Sequence, residues 1–136
     1  METVKPEVLK EHAKNASKFS HSPFSHYPVG AALLTEDGSV FHGCNIESSS
    51  YGLSVCAERN AIAAAVVNGH KKFKALAVYS SNGATPCGAC RQVIWDICGD
   101  IPVYIFTKDD KFEQYSSGDL LPAPFDDTKL QKESTP

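Results

Sequence analysis

Between Glu7 and Ser20, residues Val8, Leu9, His12, Ala13, Ala16 and Phe19 recur at helical spacing, which predicts an amphipathic helix with these positions near one side. The period then changes. Pro23 and Pro28 bracket an extended PFSHYP segment, and VGAALLT and SVFHGCN, separated by the turn EDG, predict a β-hairpin. Gly30, Ala31 and Ala32 are small enough to let a helix lie close to that sheet. Asn45 to Leu53 is a polar, serine-rich loop. From about Val55 to Asn68 an alanine-rich run with Ile62, Ala63, Val66 and Val67 predicts a buried helix, stopped by Asn68-Gly69. A strand FKALAVYS, a loop SNGAT and a second helix to about Cys98 follow. Strands PVYIFT and KFEQYS and a short helix at GDLL lead to PAPF, and the terminal DDTKLQKESTP is expected to be loose, above all from residue 130 on. Strands alternating with helices after an opening helix and hairpin predict an α/β fold on a mixed sheet of about five strands.

A chain of 136 residues with 42% hydrophobic content suits one domain over 1–136. The 13 basic residues are outnumbered by 16 acidic ones, and Lys71, Lys72 and Lys74 form their only cluster, so no nucleic-acid groove is expected. METVKPEVLKEH carries charge and proline where a signal peptide needs an apolar stretch, and no run approaches membrane-spanning length. The expectation is a cytoplasmic protein with no membrane partner. Five cysteines in that setting fit metal chemistry better than disulfides.

The chemistry concentrates where two cysteines open the predicted helices, in SVCAERNAIAAAVV and TPCGACRQVIWDIC. Cys87 and Cys90, at i and i+3, share one helix face and can chelate one tetrahedral ion, with Cys56 as a third ligand from the other helix. Helix N-termini favour thiolate at such positions. Glu58 lies roughly 200° around its helix from Cys56, better placed as a base beside the metal than as a ligand. Three protein ligands leave the fourth zinc position for water, the arrangement of a catalytic site. Three thiolates on a divalent ion leave net negative charge, and the chain's two arginines, Arg59 and Arg91, fall beside the cysteines, where they are expected to donate to sulfur.

Cys56-Ala57-Glu58 followed by Pro86-Cys87-Gly88-Ala89-Cys90 matches the zinc deaminase signature. With YPVGAALL before it, GCNIE between and LLPAPF after, the chain resembles the small, three-cysteine, homotetrameric cytidine deaminases from about Pro23 to Phe125. The resemblance implies a three-layer α/β/α fold, one zinc ion per chain, and hydrolysis of cytidine or deoxycytidine with Glu58 as proton shuttle. It further implies that Asn45 and Glu47 hold the ribose, that Tyr27 stands against the pyrimidine where phenylalanine is usual, and that backbone groups of Ala57 and Cys87 hold the amino group and the oxygen. Tyr51 and Phe125 match aromatics that reach a neighbouring subunit's site. Ser48 departs from the family's usual asparagine.

Two other readings stay open: a deaminase of a modified nucleoside or cytosine-containing antibiotic, suggested by Tyr27, and a four-cysteine structural zinc module with Cys44 as fourth ligand. Cys98, eleven residues after Cys87 and about 16 Å along the helix, is expected to be a buried free thiol. His12, His21, His26, His42 and His70 have no metal spacing.

Overall fold

The computed structural model describes residues 4–130. Its elements are α1 (Pro6–Ser17), β1 (Gly30–Thr35), β2 (Val40–Cys44), α2 (Ala57–Val67), β3 (Phe73–Ser80), α3 (Gly88–Cys98), β4 (Pro102–Thr107), β5 (Phe112–Ser116) and α4 (Ser117–Leu120), with short 3-10 turns at Tyr51–Leu53 and Asp127–Lys129. Five strands form one mixed sheet in the order β2-β1-β3-β4-β5. The parallel pair is β3–β4, the two strands joined by the α3 crossover; the other neighbours are antiparallel.

Strand β1 is buried from end to end, and its alternation divides the core in two. Ala31 and Leu33 join Leu76 and Val78 against Ala61, Ile62 and Ala65 of α2 and Ile94 of α3. Ala32 and Leu34 join Ala75 and Ala77 on the other face, against Leu9 and Ala13 of α1. The result is three layers, α1 on one side of the sheet and α2 with α3 on the other.

Two glycines set how closely the helices approach. A Cβ on Gly30 would lie 1.9 Å from the Ala13 carbonyl oxygen of α1, and one on Gly43 would lie 2.2 Å from the Ala57 oxygen and 2.4 Å from the Ala61 nitrogen of α2. The small GAA run does admit a helix, and Gly43 is its counterpart on the opposite face. Contact at Ala13 also selects the buried side of α1: Leu9, Ala13 and Ala16 face inward, while Val8 is 47% exposed and Phe19, beyond the helix end at Ser17, is 81% exposed. The expected helix through Ser20 is therefore three residues too long, and its apolar side is narrower than its spacing suggested.

The end of β3 at Ser80 feeds residues 81–87 across the carboxyl edge of the parallel pair, the usual location of binding crevices in open α/β sheets. At the other end of the chain, a capping box between Ser116 and Asp119 starts α4. The following segment is bonded back to α3: Gln92 Nε2 donates to the Phe125 carbonyl at 2.6 Å, and Trp95 Nε1 donates to Asp126 Oδ2 at 3.0 Å. Of the tail expected to be loose from residue 130 on, residues 131–136 lie outside the described residues. No helix among the described residues is long and apolar enough to cross a membrane.

Candidate active site

Cys56 and Cys87 occupy the N-cap positions of α2 and α3, and Cys90 stands in the first turn of α3. Neither cap forms the side-chain hydrogen bond that serine or aspartate usually supplies there, so both thiols are available to other partners. The three sulfurs lie within 4.8 Å of one another, with Cys56 Sγ 3.8 Å from Cys87 Sγ. Zinc–sulfur bonds of about 2.3 Å in a tetrahedron separate sulfurs by about 3.8 Å, so the donor set fits zinc. Among the described residues this is the one such ligand cluster, and Cys44 and Cys98 stand outside it. A four-cysteine structural site is thereby ruled out for Cys44, whose burial at the end of β2 raises its thiol pKa. Cys98 is a free thiol pushed by burial up to about 12.

Packing three thiols together divides their proton affinities. A hydrogen bond from Cys90, with smaller help from Arg59 and Cys87, lowers Cys56 to about 5, while the same contact and burial push Cys90 strongly upward. Protons held this way between sulfurs are what a metal ion displaces. Arg59 Nη2 lies 3.7 Å from Cys56 Sγ, and its Nε is buried without a partner.

Glu58, one residue into α2, is 4% exposed and is the one charged side chain among the buried described residues. Burial pushes its carboxyl up to about 7; its own backbone amide opposes the rise, and the nearby Cys56 adds to it. A carboxyl kept this dry beside a thiol cluster is costly for folding alone and marks a working group. Ala57, buried at the first helical position, leaves its N–H among the first-turn donors that have no intrahelical acceptor.

Arg91 is placed differently from the expectation that it donates to sulfur. Its Nε donates to the Pro86 carbonyl at 2.7 Å, Nη1 to the Leu120 carbonyl at 3.1 Å and Nη2 to Thr85 Oγ1 at 2.9 Å. One turn along α3 from Cys87, the guanidinium reaches back along the incoming loop, and three oxygens there satisfy it. Arg91 thus braces the loop that delivers Cys87.

The loop from Asn45 is pinned by backbone pairing of Ile46 with Val55 and of His21 with Ile46. Asn45 and Glu47 both turn toward residues 20–29. Asn45 Nδ2 donates to the Tyr27 carbonyl at 2.8 Å, and its Oδ1 accepts from Val29 N at 3.0 Å and from Ser20 Oγ. Glu47 Oε1 accepts from the amides of Phe24 and Ser25 at 3.0 and 3.1 Å, and Oε2 accepts from Ser25 Oγ. These bonds, the Ser25 hydroxyl first, hold the Glu47 pKa below the usual carboxylate value. Glu47 and Tyr51 line a cleft of 370 Å³ with Phe24, Ser25 and Ser54, the last of these two residues before Cys56. Ser48 closes its own loop, its amide donating to Ser54 Oγ at 3.0 Å.

Tyr51 is 74% exposed and packs edge-on against Phe24. Phe125 is 57% exposed and does not line the cleft; its backbone carbonyl accepts from Gln92 on α3. Tyr27 is half-buried and donates its hydroxyl to Asn82 Oδ1. Asn82, Ser25 and Thr85 carry hydrogen bonds around the site that motif reading did not single out. For Asn82 and Thr85 the nearest sequence signal is the SNG turn, whose asparagine stands five residues before Cys87; Ser25 lies in the PFSHYP segment.

The chain matches, over residues 4–106, the family described as the cytidine and deoxycytidylate deaminase zinc-binding region. It is 47% identical over 122 residues to the cytidine deaminase of Sporosarcina psychrophila, covering 88% of this chain and 90% of that protein. It is 40% identical over 122 residues to the cytidine deaminase of Halalkalibacterium halodurans, covering 88% and 92%. The crystal structure of a cytidine deaminase from Burkholderia pseudomallei superposes with a TM-score of 0.88 at 42% identity, covering 90% of this chain and all of that one.

Proposed function

The chain belongs to the cytidine and deoxycytidylate deaminase family, and from that premise we propose that it hydrolyses cytidine and deoxycytidine to uridine and deoxyuridine, releasing ammonia, in pyrimidine salvage. The observation that carries the reading is the buried carboxyl of Glu58 beside three sulfurs that lie within 4.8 Å of one another. Cys56, Cys87 and Cys90 hold one zinc ion, which when bound makes water acidic enough to supply hydroxide near neutral pH.

Glu58 does the proton work. A carboxyl with a pKa of about 7 is near balance at neutral pH, where a general acid–base is most effective. It accepts one proton of the attacking water and passes it to N3 of the cytosine ring as the new bond to C4 forms; it then takes the second proton from the resulting C4 hydroxyl and gives it to the amino nitrogen, so that the C4–N bond breaks, ammonia leaves and C4 becomes a carbonyl. Backbone groups at Ala57 and Cys87 hold the departing amine and the oxygen. Arg59, beside the Cys56 sulfur, offsets the negative charge of the thiolates.

The substrate is a free nucleoside. Tyr27 flanks the pyrimidine, and Asn45 and Glu47 take the ribose hydroxyl. Glu47 lines the cleft, and with Oε1 accepting two bonds and Oε2 one, Oε2 keeps acceptor capacity for a ribose hydroxyl. The Tyr27 hydroxyl is engaged by Asn82, which supports an ordinary nucleoside over a modified one. Tyr51 and Phe125, large aromatics exposed on a loop and a strapped tail, complete sites of neighbouring subunits in a homotetramer. Free thiols of this kind suit the reducing cytoplasm.

Zinc-loaded protein incubated with cytidine should lose the cytosine absorbance and release ammonia. Glu58→Gln should cut turnover on the order of 10²-fold or more while one zinc per chain is retained. Loss of zinc together with turnover would make Glu58 a ligand, and absence of ammonia from both nucleosides would overturn the reading.

A further inference from the structure

Tyr27 is held at three points, and two of them fix only its backbone. Its N–H donates to Ser25 Oγ at 3.1 Å and its carbonyl accepts from Asn45 at 2.8 Å. Ser25 is itself bonded to Glu47 in the cleft wall. These contacts leave the side-chain torsions unset, and the third contact, from the phenol hydroxyl to Asn82 Oδ1, sets them.

Asn82 belongs to the segment that delivers Cys87, and that segment is braced along its length. Gly83 and Ala84 amides donate to Ser80 Oγ at 3.0 and 3.1 Å. Gly83 has φ +76°, and a Cβ there would lie 2.6 Å from Thr107 Cγ2, so the turn sits hard against the end of β4. Thr85 and Pro86 are held by Arg91. Asn82 is the residue of this segment that reaches across to Tyr27, two residues after the cleft-lining Ser25.

We propose that Asn82 is a positioning residue: through the Tyr27 hydroxyl it fixes the ring that flanks the base and latches the cleft-lining segment to the loop carrying Cys87. The role of the ring rests on the deaminase reading above. The latch itself does not.

The bond is partly exposed, so its loss should show at the scale of one neutral hydrogen bond. Tyr27→Phe and Asn82→Ala should each raise KM for cytidine about 2- to 10-fold with a smaller change in kcat. The double variant should be no worse than the worse single one, since both remove one bond. Asn82→Asp, which keeps the acceptor oxygen, should recover most of the loss. In parallel, amide hydrogen exchange at Gly83 and Ala84 should quicken in both single variants. Multiplying KM effects in the double variant, or unchanged exchange at both amides, would overturn the latch. If the unaltered protein turns over neither nucleoside, the deaminase reading falls, while the exchange comparison still decides the latch.

Discussion

Replacing Gly43 with alanine should damage the fold and the metal site together, whereas the same change at Gly30 should damage the fold alone. At Gly43 the added carbon would meet the Ala57 oxygen at 2.2 Å, about 0.8 Å inside the 3.0 Å that real Cβ contacts respect, and the Ala61 nitrogen at 2.4 Å. Both obstacles are backbone, so no rotamer relieves them and α2 has to move off the sheet. Overpacking of this kind costs typically about 1–3 kcal/mol. With a urea m-value of about 1–3 kcal/mol/M for a domain of this class, the midpoint should fall by roughly 1 M. The N-terminus of α2 carries Cys56 as its cap and Glu58 in its first turn, so a shift there also spoils the sulfur geometry. Gly30→Ala meets the Ala13 oxygen at 1.9 Å and pushes α1 from the opposite face, away from every sulfur of the cluster. Urea titration followed by far-UV circular dichroism gives the stabilities, and metal analysis after dialysis against a weak chelator gives zinc per chain. Equal zinc retention in the two variants, or an unshifted midpoint for Gly43→Ala, would refute the claim that this contact seats the metal-bearing helix.

The two arginines should separate by assay. Arg59→Gln should weaken zinc retention and activity with little change in the urea midpoint, whereas Arg91→Gln, losing three hydrogen bonds that brace the loop before Cys87, should lower stability by about 1–3 kcal/mol and the midpoint with it. Co-expressing Glu58→Ala and Phe125→Ala chains, each nearly inactive alone, should rebuild about a quarter of sites in mixed oligomers; mixed oligomers without activity would place Phe125 outside the site. His12 Nδ1 and His42 Nε2 meet at 2.8 Å between α1 and β2, and burial, then the His12 charge, lowers the His42 pKa. The His42 contribution to stability should be present above about pH 6.5, the unfolded histidine value, and lost as pH falls through its depressed folded pKa. Urea midpoints that decline no faster below about pH 6.5 in the native protein than in His42→Gln would refute this.

What was legible in the sequence was local. Apolar runs bounded by turn residues mark all five strands, helical spacing or helix-forming runs mark the three long helices, and the i, i+3 pair Cys87 and Cys90 declares its shared helix face without any tertiary information. Illegible features depend on partners far apart in the chain. Arg91 stood beside a cysteine in sequence, yet carbonyls of Pro86 and Leu120 and the Thr85 hydroxyl lay in better directions. The buried side of α1 was fixed by a glycine on another element, and the tail turn at Asp127–Lys129 was held by a tryptophan on α3. No period in residues 122–130 encodes that last contact, because single hydrogen bonds have no spacing to repeat.

The same distinction bears on how the substrate-side residues should be read. The zinc ligands sit at helix N-termini and inherit rigidity from packed helices, while Tyr27, Asn45 and Glu47 sit on loops with no such support. Those loops become ordered by spending on one another the groups assigned to substrate: both ends of the Asn45 amide are used within residues 20–29, and Glu47 holds Phe24 and Ser25. An alanine at Asn45 therefore removes the frame on which Tyr27 stands as well as any ribose contact, and a raised KM there measures both losses. Glu47→Gln is the sharper probe, because an amide oxygen still accepts from the Phe24 and Ser25 amides and the change falls on the charge, on the bond from the Ser25 hydroxyl and on the acceptor capacity left for the cleft. A ribose role for this pair is therefore to be argued from Glu47, with Asn45 as the residue that keeps the loop in place for it.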